Sequence, residues 1–233
     1  MRLAGLQRFS LCDYPGKMAA VVFTQGCNFR CPFCHNGSLL SSRNPGQEIS
    51  AKKIFSFLRE RTGMLEGVVI TGGEPTLQPD LADFCRAVRE LGFLVKLDTN
   101  GSRPGVLKRL LADNLLDFIA MDIKATLERY HILAGVPVDI AAIIKSITVI
   151  SRANIPALFR TTWVAGLHRQ EERYLIPAML PENTRHVFQP FKPEHALQPD
   201  LCGMEQSRAA GQAPGRRSGR LPSPVDVSPV DQV

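Results

Sequence analysis

Ala19-Ala-Val-Val-Phe-Thr-Gln-Gly-Cys27-Asn-Phe-Arg-Cys31-Pro-Phe-Cys34-His-Asn36 runs a short apolar stretch straight into a loop with three cysteines in eight residues. The first six residues read as a buried strand, and the loop that follows is mostly polar. Three thiolates on one short loop can hold three irons of a cubane [4Fe–4S] cluster, which leaves the fourth iron open to another ligand. Two plainer readings compete with it. Zinc on Cys27, Cys31, Cys34 and His35 would be unusual, because zinc favours paired C-x2-C knuckles on separate loops and adjacent Cys34 and His35 struggle to reach one tetrahedral ion. Three inert buried thiols fit poorly in a loop this polar.

Outward from this loop the chain alternates between strand and helix. Ser50 is placed to cap a helix over 51–61, with Ile54, Phe57 and Leu58 on one side. Gly67-Val-Val-Ile-Thr71 is the next strand and ends in Gly72-Gly73-Glu74-Pro75. Asp80 stands at the cap position of a helix whose Leu81, Phe84, Cys85, Val88 and Leu91 share a face, and Gly92 closes it. A third strand over 93–97 ends in Asp98-Thr99-Asn-Gly, and a helix of about two turns follows around 106–112. A fourth strand over 117–122 ends in Asp122-Ile-Lys124. The stretch 130–136 reads as a loop, and 140–150 as a crossover helix despite its isoleucines. A strand over 157–164, a helix over 171–180 and a strand over 186–190 complete the pattern. Trp163, after a strand end, suits a pocket wall or the core equally.

Six β-α units in one domain over 1–205 imply an α/β protein with parallel strands and helical crossovers, a partial (β/α)6 TIM-like barrel. In such barrels the functional groups sit at the C-terminal ends of the strands. Here those ends carry the cysteines, Thr71-Gly-Gly-Glu, Asp98-Thr-Asn, Asp122-Ile-Lys, Thr161-Thr-Trp and Gln189, all expected on one rim. Six units leave one side open. Residues 206–233, rich in Pro, Arg and Ser, read as a disordered tail.

Composition narrows the setting. The 233 residues carry 28 basic and 22 acidic side chains, a net charge of +6 that identifies no partner. No apolar run approaches a membrane span, and the N-terminal residues lack a hydrophobic signal core. Six cysteines, three of them clustered, read as reduced thiols of a cytoplasmic protein rather than a disulfide framework. Neither membrane nor nucleic acid is an expected partner.

The other strand ends have weaker signals. The Gly72-Gly73 pair allows close backbone approach to a ligand, and Glu74 adds a charge suited to an ammonium group, though a plain turn with an exposed carboxylate reads the same. Asp98 and Asp122 could bind a cation or nucleoside hydroxyls, pair with Lys124, or cap helices. Lys124 offers a point charge for a ligand carboxylate. His131, His168, His186 and His195 are scattered, and Cys85 lies on an apolar helix face.

Taken together, the cysteine run and Gly72-Gly73-Glu74 resemble the radical S-adenosylmethionine superfamily. Phe9-Ser-x2-Asp-Tyr-Pro-Gly16, Phe23 to Asn36, Thr71 to Gln78, Leu97 to Gly101, Met121 to Lys124, Phe159-Arg-Thr-Thr162 and Phe188-Gln-Pro-Phe191 are together similar to the activating proteins of anaerobic ribonucleoside-triphosphate reductase, in their longer form. The resemblance spans about residues 1–200. It implies a partial barrel of the radical S-adenosylmethionine type, with Cys27, Cys31 and Cys34 holding a [4Fe–4S] cluster. It further implies S-adenosyl-L-methionine as cofactor, with its amino group at Gly72, Gly73 and Glu74, and its ribose or carboxylate at Thr99 and Lys124. Asp98 and Asp122 would lie beside a monovalent cation. The implied partners are a flavodoxin- or ferredoxin-like electron donor and a glycyl radical enzyme, anaerobic ribonucleotide reductase, on which a glycyl radical is made. Another glycyl radical enzyme, a small nucleoside-like substrate, or a purely structural metal-binding module are the alternatives. The chain departs from the pattern at Thr126, where proline is frequent, and in its tail.

Overall fold

In the computed structural model, which describes residues 1–41, 48–193 and 196–198, all six expected strands form, and a seventh joins them. The strands are β1 (Leu3–Ser10), β2 (Ala19–Thr24), β3 (Gly67–Gly72), β4 (Leu94–Thr99), β5 (Phe118–Asp122), β6 (Ala157–Trp163) and β7 (His186–Pro190). They lie in one sheet in sequence order. The strands from β2 to β7 run parallel, whereas β1 is antiparallel to β2, with Leu3 opposite Thr24 and Ser10 opposite Ala19. Among the described residues β1 and β7 do not pair, so the barrel stays open between them.

The helices are α1 (Ala51–Glu60), α2 (Leu81–Glu90), α3 (Pro104–Ala112), α4 (Tyr130–Ala134), α5 (Ile140–Ser151) and α6 (Glu172–Ala178). Ser50 caps α1, its hydroxyl accepting from the Lys53 amide at 3.3 Å. Asp80 does not cap α2 with its side chain; its carboxylate pairs instead with the Met1 ammonium. The stretch read as a loop over 130–136 contains α4, whose Tyr130, Leu133 and Ala134 are buried at helical spacing and whose C-terminus turns at Gly135 with φ +67°. A helix this short gives periodicity little to work on.

Strand side chains alternate between two apolar regions, as expected for strands buried on both faces. Ala20, Val22, Val68, Ile70, Val95, Leu97, Ile119, Met121 and Phe159 face the helices. There they meet Ile54 and Leu58 of α1, Leu81, Phe84, Cys85 and Val88 of α2, and Ile143 and Ile147 of α5. Each buried valine, leucine, isoleucine, methionine or phenylalanine here contributes about 1.5–3 kcal/mol, and an aspartate at Val88 would break this contact. Ala19, Val21, Val69, Phe118 and Ala120 point into the barrel and form a small apolar plug closed by Tyr14. The Tyr14 ring stands edge-on to Phe118 at 5.8 Å and occupies the space a side chain on Gly67 would need. Above this plug the inward positions of β4, β5 and β6 turn ionic.

No helix among the described residues is long and apolar enough to cross a membrane. The tail expected over 206–233 lies outside the described residues, as do His195 and Cys202.

Candidate functional site

The cysteine loop leaves β2 at its C-terminal end and is tied down on three sides. Gln25 donates its amide to the Arg2 carbonyl at 3.0 Å, Gly26 to Leu39 at 2.7 Å, and Arg30 to Ala134 at 2.7 Å. The last bond docks the loop on α4, where Phe29 meets Tyr130 edge-on at 6.5 Å. Gly135 is needed there, since a Cβ on it would strike the Arg30 carbonyl. Helix α4, missed by the periodic reading, therefore supports the cysteines. Its apolar spacing together with Gly135 was the available signal.

The Gly72-Gly73 turn supports the loop from the other side. Gly72 has φ +106°, and a Cβ at Gly73 would fall within 3.0 Å of the Gly26 carbonyl. Gly73 donates to the Thr24 carbonyl at 2.9 Å and Glu74 to the Gly26 carbonyl at 2.8 Å. Asn36 reaches the Gly72 carbonyl at 3.1 Å. The paired glycines thus let two strand ends approach each other. The Glu74 carboxylate is not an exposed charge: it is 1 % exposed and accepts from the Thr76 amide (3.0 Å) and hydroxyl, the Thr99 hydroxyl (2.8 Å) and the Asn100 amide (2.7 Å). Burial raises its pKa, and these four hydrogen bonds work against that rise. Glu74 ties the end of β3 to the end of β4.

These strand ends enclose a cavity of about 400 Å³, a size that suits a small-molecule ligand. Cys27, Cys31, Cys34, Gly72, Gly73, Glu74, Asp98, Thr99, Asp122 and Lys124, all singled out from the sequence, line it, and so do Arg160, Thr162 and Gln189. Thr161 and Trp163 turn away from it. Trp163 stacks on His168 at 4.8 Å and carries the Arg173 guanidinium 4.3 Å from its ring centre, so it packs the outside of β6. His168 is buried, with Nδ1 3.1 Å from the Val164 amide and Nε2 2.9 Å from the Lys124 carbonyl. Its scattered place in the sequence concealed a role in fixing the backbone of Lys124.

The three cysteines are unpaired thiols. Burial pushes Cys27 up to about 11 and Cys31 up to about 12, while the nearby Lys124 charge acts in the other direction. Lys124 itself keeps its proton: burial opposes the charge, and Asp122, 3.1 Å away, outweighs it. His35 bonds the Lys192 carbonyl through Nε2 at 2.8 Å and stacks on Phe191. Among the described residues no three His, Cys, Asp or Glu side chains converge on a single ion. A cubane takes its thiolates at separate corners, so its ligands need not converge on one point. Three free thiols on one braced loop, facing a cavity with room beside them, fit the cluster.

The expected monovalent cation does not fit Asp98 and Asp122. Asp98 is paired with Lys96 and, at 3.3 Å, with Arg160. Asp122 is paired with Lys124 at 3.1 Å and Arg160 at 2.9 Å. The carboxylates are occupied by protein cations, and of these Lys96 and Arg160 are the two that sequence reasoning passed over. Thr126, the departure from the usual proline, donates both its amide (3.1 Å) and its hydroxyl (3.2 Å) to the buried Glu172.

The family model described as "Radical SAM superfamily" matches residues 21–175. A protein of Methanocaldococcus jannaschii named as a candidate glycyl-radical enzyme activating enzyme is 33 % identical over 202 residues, covering 83 % of this chain and 81 % of its own length. The pyruvate formate-lyase-activating enzyme of Clostridium pasteurianum is 33 % identical over 130 residues, 53 % of this chain and 52 % of that protein. Among solved structures, Streptococcus suis SuiB bound to the precursor peptide SuiA matches with a TM-score of 0.59 at 18 % identity. That match covers 74 % of this chain and 38 % of the SuiB chain, and it speaks to the fold.

Proposed function

The chain belongs to the radical S-adenosylmethionine superfamily, and from that premise we propose that it is the activating enzyme of a glycyl radical enzyme, anaerobic ribonucleotide reductase. Superfamily members use a [4Fe–4S] cluster and S-adenosylmethionine. One observation carries the reading: Cys27, Cys31, Cys34, the Gly72-Gly73 turn, Thr99 and Lys124 come from four strand ends yet line one cavity. A [4Fe–4S] cluster held by Cys27, Cys31 and Cys34 would supply the one-electron reduction that cleaves S-adenosylmethionine, the chemistry needed to take a hydrogen atom from a glycine Cα of the partner.

The chain's own residues prepare that chemistry. Cys27, Cys31 and Cys34 would hold the cluster, three thiolates for four irons. The backbone of Gly72 to Glu74 borders the place for the cofactor's amino group, and the buried Glu74 carboxylate fixes that backbone rather than making the contact. Lys124 supplies a cation for the cofactor carboxylate. The Thr99 hydroxyl, already bonded to Glu74 and to the Gly101 amide, retains one acceptor site for a ribose hydroxyl. The gap between β1 and β7 suits a glycine-bearing loop of a protein, and the similarity to a relative over four-fifths of that relative's length supports an activating enzyme. The partner as reductase rests on the pattern of motifs along residues 1–200. A flavodoxin- or ferredoxin-like donor and a cytoplasmic setting belong to the same proposal.

The test is electron paramagnetic resonance on the anaerobically reconstituted chain with cofactor, reductant and the candidate reductase. A glycyl radical doublet that requires both proteins supports the proposal. A doublet with pyruvate formate-lyase alone would reassign the partner. Cofactor cleavage with no doublet on either would overturn the activating role.

A further inference from the structure

We infer that Arg160 is the built-in counter-ion of the Asp98–Asp122 pair, and that this protein needs no monovalent metal ion beneath its cofactor cavity. The geometry is one of complete pairing. Asp98 has Lys96 Nζ on Oδ1 and Arg160 Nη1 on Oδ2 at 3.3 Å. Asp122 has Arg160 Nε on Oδ1 at 2.9 Å and Lys124 Nζ on Oδ2 at 3.1 Å. Every carboxylate oxygen therefore already faces a cationic nitrogen. Two negative and three positive charges alternate along the row, so an added cation would enter a group with net positive charge.

The sheet dictates this arrangement. Asp122 and Arg160 are register partners on neighbouring parallel strands, and inward positions two apart on β6 bring Arg160 to the cavity between Leu158 of the plug and Thr162 of the wall. The guanidinium is planar and always charged, with donors set at an angle that lets one group bridge two carboxylates. A lysine could not span both. Arg160 thus acts as a positioning residue: it ties the ends of β4 and β5 together at the cavity wall. Its consequence for cofactor binding rests on S-adenosylmethionine occupying the cavity, whereas its claim about the ion does not.

Thallium-205 resonance of Tl⁺, a potassium surrogate, titrated against the full reconstituted chain tests the ion claim without cofactor. No saturable Tl⁺ site is expected. Arg160→Met should create one, because it leaves two carboxylates with only Lys96 and Lys124. In parallel, calorimetric binding of S-adenosylmethionine without reductant should be equal in potassium and tetramethylammonium chloride for the parent chain. For Arg160→Met it should fall about tenfold in tetramethylammonium and recover in potassium. A saturable Tl⁺ site in the parent chain that Asp98→Asn abolishes would overturn the inference, and this arm holds even if Arg160→Met does not fold. A folded Arg160→Met that neither takes up Tl⁺ nor binds cofactor more weakly would overturn it too. Failure to bind S-adenosylmethionine in any salt would sink the cofactor reading instead, with the Tl⁺ result still deciding this one.

Discussion

The carbonyl of Gly26 occupies the space in which a side chain on Gly73 would begin. The turn after β3 and the loop after β2 are consequently in backbone contact, and the glycine is required by packing before any ligand arrives. Gly73→Ala should push the cysteine loop outward and cost about 1–3 kcal/mol of stability, the usual toll of overpacking. Urea unfolding reads the stability, and iron and sulfide content after reconstitution reads the loop. Parent-like values in both would show that the backbone yields easily.

Cys31 is the most buried of the three thiols. Cys31→Ser should abolish cluster-dependent cleavage of S-adenosylmethionine while leaving the circular dichroism spectrum of the parent. Cleavage at the parent rate would remove Cys31 from the ligand set.

Lys124 enters the cavity beside Asp122 and stands 5.8 Å from the Phe33 ring centre. Lys124→Met keeps the aliphatic stem and removes the charge, so affinity for S-adenosylmethionine should drop about tenfold, near the value of one charge-assisted contact. Binding of the uncharged-tail analogue 5′-methylthioadenosine should not change. Equal losses for both ligands would point to a general collapse of the cavity.

Thr126→Pro removes an amide and a hydroxyl from Glu172, whereas Thr126→Ala removes the hydroxyl alone. The proline should therefore be the costlier change, by about 1–3 kcal/mol, because a buried acceptor loses a donor it cannot replace. Urea midpoints rank the two. Equal midpoints would mean that Arg129 and the Arg169 amide suffice for Glu172.

His168 is held neutral chiefly by burial, and its pKa lies below the ordinary 6.5. The unfolded chain therefore binds more protons between the folded pKa and 6.5, so stability from His168 is present above that window and is lost as pH falls through it. His186 is shifted the same way by burial. Unfolding free energy followed from about pH 8 to about pH 5 should decline on the acid side, and His168→Gln should flatten part of that decline at lower overall stability. An unchanged pH profile in the variant would deny His168 this role.

Much of the fold was legible because its strands are apolar on both faces and its helices are capped or closed by residues such as Ser50 and Gly92. β1 was not: between Leu3 and Ser10 its side chains are mostly half-buried or exposed, so its ladder to β2 left no alternation to read. The cavity residues at strand ends were legible as short motifs. Arg160 was harder, since its partners stand 38 and 62 residues away in sequence. The available hint was a charge on the inward face of a central strand, where an unpaired cation would be too costly to keep. Glu74 misled in the opposite sense: its acidic character was evident, but only the fold shows four protein donors already on it.

The late position of Arg160 also has a bearing on how the molecule comes into being. The ribosome releases the cysteine loop, Gly73 and both aspartates before β6 exists. At about 5–20 residues per second, Asp98 waits several seconds for the guanidinium that joins it to Asp122. Until then the ends of β4 and β5 have only the lysines as counter-charges, and the chamber lacks one wall. The cysteine loop waits longer still, since the Cys34 and Pro32 carbonyls accept from the amides of Leu197 and Gln198, which are made after β6.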